Sequence, residues 1–175
     1  DKTTRTGVDL ASHLESWVIQ AKPGDAIRVI SGGPGSGKSS FCKIFAANHA
    51  ETLRSEGIDT VFIPLHHFKP DDQLELAVGE YLRNYTPLGF NPLASDEITH
   101  RTVLLIFDGL DELSQQGHVG ATVANEFVRA LETTLSRLNG NADEARLRII
   151  LTGRELVIQA NKAAFRGERH LDVLP

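Results

Sequence analysis

Residues 32–39 run Gly-Gly-Pro-Gly-Ser-Gly-Lys-Ser, and no other stretch limits the fold of this chain so much. An apolar run, Ala26-Ile27-Arg28-Val29-Ile30, precedes the octet, and a helical pattern opens at Lys38. A glycine-rich loop between strand and helix has a specific physical use. Glycine has no Cβ, so successive backbone N–H groups turn inward onto an anion. The opening helix turn adds free N–H donors and the positive end of its dipole. The G-x-x-x-x-G-K-S spacing predicts that Gly32, Gly33, Pro34, Gly35, Ser36, Gly37, Lys38, Ser39 and Ser40 cradle phosphates. Lys38 would reach the β- and γ-phosphates, and the Ser39 hydroxyl would ligate Mg²⁺. Strand, loop, Lys-Ser and helix stand in the order this mechanism requires.

The rest of the chain alternates between two periodicities. Leu10, Leu14, Trp17 and Val18 fall on one face of a predicted helix over 9–20, broken by Pro23-Gly24. A strand over 26–31 leads into the loop, and the helix after it runs from Lys38 to Glu56, with Gly57 at its C-terminal cap. A second strand over 60–65 contains Pro64, which lacks a ladder donor and so favours a sheet edge. Asp71 or Asp72 is placed to cap a helix carrying Leu74, Ala77, Val78, Tyr81 and Leu82 on one face. Residues 84–101 hold Pro87, Gly89 and Pro92 and read as a long irregular connection. The continuous run Val103-Leu104-Leu105-Ile106-Phe107 suits a strand buried on both faces. Val123, Ala124, Phe127, Val128, Leu131, Leu135 and Leu138 keep a 3.6-residue period, ended by Asn139-Gly140-Asn141. A fourth strand over 147–152, a short helix over 155–164 and a terminal strand over 170–174 complete the pattern. Alternating strands and helices predict an α/β fold: a parallel sheet with helices on both faces, whose ligands bind at the C-terminal strand ends.

The third strand runs straight into Asp108-Gly109-Leu110-Asp111-Glu112. A strand ending in Asp delivers that carboxylate to the sheet edge opposite the glycine-rich loop, where Asp108 would hold Mg²⁺ through water. A helical turn after Gly109 brings Asp111 and Glu112 back to the phosphate site, where one of them orients or deprotonates the attacking water. Analogy with related ATPases favours Glu112. Arg154 ends the fourth strand and is placed to sense a γ-phosphate. His66 and His67 make a poor metal site, because successive strand residues face opposite sides. Trp17 reads as a core anchor, and Arg137, Asp143, Glu144 and Arg146 as solvated surface.

Composition narrows the class. With 175 residues and 41% hydrophobic content, the chain can fill the core of one α/β domain. No stretch approaches the roughly 20 apolar residues of a membrane helix, and the N-terminus has no signal-peptide pattern. A net charge of −5 argues against a domain that coats nucleic acid. The single cysteine, Cys42, forms no internal disulfide and reads as a small buried residue on the helix after the loop, which fits a reducing cytoplasm. The abrupt ends, Asp1 and Leu171-Asp172-Val173-Leu174-Pro175, suggest a fragment of a larger polypeptide.

Three motifs in order carry a family resemblance that spans nearly the whole chain. The Walker B-type segment Val103-Leu104-Leu105-Ile106-Phe107-Asp108-Gly109-Leu110-Asp111-Glu112-Leu113 resembles that of the NACHT family of STAND ATPases. Gly-Gly-Pro-Gly-Ser-Gly-Lys-Ser-Ser is similar to its Walker A, and Thr152-Gly153-Arg154 to its sensor 1, where Thr-Ser-Arg is commoner. The terminal Leu-Asp-Val-Leu-Pro resembles the strand leading into the family's helical domain. The resemblance implies a three-layer P-loop NTPase core with strand order 5-1-4-3-2, ATP/ADP and Mg²⁺ as ligands, slow hydrolysis, and nucleotide-gated homo-oligomerisation. It places the core between an N-terminal effector and a C-terminal sensor, in immune receptors or antiphage defence; the short loops read as prokaryotic. The family's nucleotide-contacting His lies in domains beyond this sequence, so turnover by the chain alone is expected to be weak. An AAA+-like remodelling ATPase and a small-molecule kinase are the alternatives. The acidic balance and the Asp-Gly-Leu-Asp-Glu run count against the first, and the want of an Arg-rich lid against the second. No Asn-Lys-x-Asp is present to read guanine, so adenine is preferred.

Overall fold

The computed structural model describes residues 7, 9–68, 73–94, 101–114, 120–154 and 169–173. Helix α1 spans Leu10–Gln20 and buries Leu14, Trp17 and Val18. The Asp9 carboxylate caps it by accepting from the Ser12 amide at 2.8 Å, a bond that lowers the pKa of that carboxyl. Strand β1 (Ile27–Ser31) is followed by α2 (Lys38–Ser55) and β2 (Ile58–Pro64). Then come α3 (Leu74–Tyr85), β3 (Thr102–Asp108), the short α4 (Leu110–Ser114), α5 (Gly120–Asn139), β4 (Leu147–Gly153) and β5 (His170–Asp172).

The five strands form one parallel sheet in the order β2-β3-β4-β1-β5. Read from the other edge this is 5-1-4-3-2, the expected order. Chain direction assigns the layers. The connection from β1 to β2 crosses the sheet one way, and those from β2 through β3 to β4 cross it the other way. Right-handed crossovers therefore put α2 on one face and α3 and α5 on the opposite face. Helix α1 packs beside α2, and α3 against α5. Strands β1, β3 and β4 are covered on both sides, and every residue from Val103 to Asp108 is buried. Pro64 is the last residue of the edge strand β2, paired with Asp108, a position where a missing N–H is tolerated.

On the α5 face, Phe68, Phe107 and Phe127 meet edge to face, with Phe107 and Phe127 centroids 5.4 Å apart. Fully burying each such ring contributes about 1.5–3 kcal/mol. The other face holds charge that the apolar runs did not announce. Arg28 and Arg148 are both buried under α1. Arg28 forms a bidentate pair with Asp25 at 2.6 and 2.8 Å and lies over the Trp17 ring. Burial pushes the pKa of the Arg148 guanidinium down, and the nearby Glu144 charge partly offsets this.

Several boundaries differ from the sequence reading. Strand β2 starts two residues earlier and stops at Pro64, so His66 and His67 lie in a 3-10 turn, Leu65–His67. Their rings do not face opposite sides of a strand; the centroids are 4.3 Å apart. Gln73 takes the N-cap position of α3, without a side-chain bond. Asp71 and Asp72 lie outside the described residues, as does the predicted helix over 155–164. Part of the long connection after α3 is anchored: Leu93 is fully buried, its carbonyl accepts from Arg137 Nη2, and Asn91 Nδ2 donates to the Glu75 carbonyl. Strand β5 covers His170–Asp172, and Leu174 lies outside the described residues.

Candidate functional site

The carboxyl ends of β1, β3 and β4 converge on the glycine-rich loop. Gly35 and Gly37 take φ values of 73° and 85°, in the left-handed region that side chains disfavour. With Gly37 at the N-cap, the loop turns directly into α2. Among the described residues, the amides of Gly37, Lys38, Ser39 and Ser40 have no protein acceptor. These orphan donors at a helix N-terminus fit a phosphate group. The space a Cβ would fill at Gly33, Gly35 or Gly37 is open, so an anion can approach the backbone closely. Lys38 Nζ donates to the carbonyls of Gly32 and Gly33 at 2.8 and 2.9 Å and to Ser36 Oγ at 3.2 Å, folded onto the loop it would serve.

Strand β3 brings Asp108 to the first turn of α2. Ser39 Oγ donates to Asp108 Oδ1 at 3.0 Å. The two expected Mg²⁺ ligands thus arrive from segments 69 residues apart in sequence. Hard oxygen donors of this kind suit Mg²⁺, which is commonly held by one or two carboxylates together with substrate phosphates. Among the described residues no group of three or more His, Cys, Asp or Glu is arranged to hold a metal alone. Asp108 also accepts from Thr152 Oγ1 at 2.6 Å, and Thr152 Oγ1 accepts from the Gly109 amide at 3.0 Å. Thr152 was not a sequence candidate. The sign of it was a hydroxyl inside an apolar strand, two residues before Arg154. Cys42 lies buried along α2, and its thiol is pushed up to about 12 by burial and then by the Asp108 charge.

The remaining candidates come together in pairs. Arg154 Nε lies 2.9 Å from Asp111 Oδ2, with the Asp111 side chain mostly buried and Arg154 half-exposed. Glu112 Oε2 lies 3.4 Å from His66 Nδ1, and both side chains are substantially exposed. Asp111 and Glu112 therefore diverge within α4, one toward β4 and the other toward β2.

A second polar group joins β5 to the root of the loop. Ser31 Oγ donates to Asp172, and His170 Nε2 lies 2.7 Å from Ser31 Oγ and 3.2 Å from Asp172 Oδ1. The Val173 amide adds a 2.8 Å bond to the Ser31 carbonyl. The residue types suggest a nucleophile with its base, but the geometry does not. Ser31 is fully buried, and one imidazole nitrogen faces both partners, leaving no orienting relay. The cluster instead fastens the edge strand.

No protein-family model matches the chain, and no curated protein matches it. Among solved structures, the chain is similar to one described as the E. coli MS115-1 HORMA:CdnC:Trip13 complex, at 16% sequence identity and a TM-score of 0.47. The similarity covers 95% of this chain and 52% of the other, so the chain spans about half the length of that chain.

Proposed function

We propose that the chain is an ATP- and Mg²⁺-binding domain that hydrolyses ATP slowly and serves as the switch of a NACHT-type STAND signalling protein. The observation that carries this reading is the meeting of Ser39 and Asp108 at 3.0 Å beside a helix N-terminus with unpaired amides. Gly32–Ser40 would bind the phosphates, with Lys38 leaving the Gly32 and Gly33 carbonyls to neutralise the β- and γ-phosphates. Ser39 and Asp108 would hold Mg²⁺, which would neutralise phosphate charge when bound. Among the described residues Asp111 pairs with Arg154, whereas Glu112 lies beside the exposed His66. This favours Glu112 as the group that orients water, with Arg154 reporting on the γ-phosphate.

In this reading the γ-phosphate contacts of Lys38, Mg²⁺ and Arg154 favour one arrangement of flanking effector and sensor domains, and ATP promotes homo-oligomerisation in immune or antiphage defence. The setting is cytoplasmic. Among the described residues no helix is long and apolar enough to cross a membrane. Calorimetric titration of ATP/Mg²⁺ into the wild-type chain and Lys38→Ala tests the proposal: binding in the first and its loss in the second are expected. Equal affinity in the variant would refute it. Weaker binding of GTP than ATP is the accompanying expectation.

A further inference from the structure

Arg28 and Arg148 leave positive charge unbalanced at the end of the sheet away from the P-loop. Arg28 pairs with Ile150 across β1 and β4, so Arg148, two residues earlier, lies on the same sheet face. Both residues are buried, at 3% and 2% exposure. Asp25 answers Arg28, but it also faces Arg169 Nε at 3.9 Å. Among the described residues Arg148 has no ion-pair partner, and its guanidinium makes one long hydrogen bond, 3.4 Å from Nη2 to the Ile19 carbonyl in the last turn of α1. Glu144 reaches Arg148 through its charge, yet lies 3.8 Å from the exposed Lys22 Nζ. Arg148 Nε and Nη1, Arg28 Nε and His13 Nε2 are buried and have no protein partner among the described residues. A buried donor left unpaired is costly, and a buried cation without a counter-charge is more so.

His13 and Arg28 line a cleft of about 260 Å³ between α1 and the turn before β1, together with Trp17, Gln20, Lys22 and Asp25. We propose that this cleft is a second binding site, for a small oxyanion bearing a carboxylate or phosphate group. Lys22 and His13 would meet the anion, and Arg28 and Arg148 supply the positive charge beneath it. The wall is held in place: Trp17 Nε1 donates to the Asp25 carbonyl at 2.8 Å, and the Arg28 guanidinium stacks 4.7 Å from the Trp17 ring centroid. The whole chain carries a net charge of −5, so the attraction is local, from Lys22 and three arginines set against Asp25 and Glu144. The volume lies below that of drug-sized sites, which favours a small metabolite over a polymer. Arg28 precedes Ser31 by three residues, about 10 Å along the strand, so this site is separate from the phosphate cradle.

Trp17 is the single tryptophan and lines the cleft, so its fluorescence reports on this site. The test titrates citrate and, separately, inorganic phosphate into the full chain in low-salt buffer. A saturable change in Trp17 emission with a Kd of about 1 mM or tighter is expected for at least one of them, and the one that binds tells carboxylate from phosphate recognition. Arg148→Met removes the buried charge and keeps the bulk; it should weaken that binding about ten- to a hundredfold, the worth of a charge-assisted bond. Lys22→Glu alters an exposed position, so it decides the matter if Arg148→Met does not fold; a loss of about two- to fivefold is expected. The Lys38→Ala background disables the P-loop and should leave the Trp17 response unchanged. No saturation by either anion at about 20 mM overturns the proposal. So does wild-type affinity in a folded Arg148→Met or, where that variant does not fold, in Lys22→Glu, and so does loss of the response in Lys38→Ala. Each of these results is independent of whether the chain binds ATP.

Discussion

Thr152→Val isolates the junction that ties β4 to the end of β3. Thr152 is buried, donates to Asp108 Oδ1 at 2.6 Å and accepts from the Gly109 amide at 3.0 Å. Valine has the same shape, so no cavity opens and only the two bonds are lost. A hydrogen bond to a charged group contributes about 1.5–3 kcal/mol, and an orphaned buried N–H costs about 1–3 kcal/mol. Asp108 keeps its bond from Ser39, which moderates the total. The expected destabilisation is about 3 kcal/mol. With a urea m-value of about 2 kcal/mol per molar, the unfolding midpoint should fall by about 1.5 M at unchanged m. Thr152→Ser is the control: it keeps both bonds and loses one buried methyl, worth about 0.8 kcal/mol. Urea unfolding followed by circular dichroism reads all three proteins. A valine midpoint within about 0.3 M of wild type, or a serine variant less stable than the valine one, would refute the assignment of Thr152 as the anchor of Asp108.

The thiol of Cys42, raised to about 12 by burial and the Asp108 charge, should resist Ellman's reagent at pH 8 in the folded chain and react promptly in guanidinium; fast labelling of folded protein would contradict the packing of α2 on the sheet. Arg154→Ala should leave ADP affinity within about twofold and lower ATP affinity more, narrowing the difference between the two in calorimetry; equal losses for both nucleotides would deny Arg154 a γ-phosphate role.

Much of the fold was legible because the two periodicities are clean. Val103–Phe107 is apolar throughout, and β3 is buried throughout. The α5 stripe, Val123 to Leu138, keeps one helical face apolar over about four turns, and the helix forms over Gly120–Asn139. Pro64 predicted an edge strand, because a missing donor is tolerated only there. The same proline marks where the strand stops: alternation of faces does not carry past Pro64 to His66 and His67, because they lie in a turn. The buried bonds of Thr152, Asn139 and Ser31 are not legible in the sequence, because nothing in a linear pattern marks which hydroxyl or amide will be buried. Asn139 was read as ending a helix. It does so, and its side chain also donates to the Leu147 carbonyl and accepts from the Arg146 and Leu147 amides, joining α5 to β4.

The sequence by itself determined the phosphate cradle, since glycines, Lys38, Ser39 and the helix start are contiguous and their chemistry is local. It also determined which strand ends carry Asp108 and Arg154. Only the tertiary structure decided who faces whom: Ser39 with Asp108, Asp108 with Thr152, Asp111 with Arg154 and Glu112 with His66. These pairs join residues from separate strands and helices, and sheet order brings them together. Asp111 and Glu112 are adjacent and chemically alike in the sequence. Their divergence depends on the strand beyond each of them: β4 supplies an arginine on one side, and the turn after β2 supplies a histidine on the other.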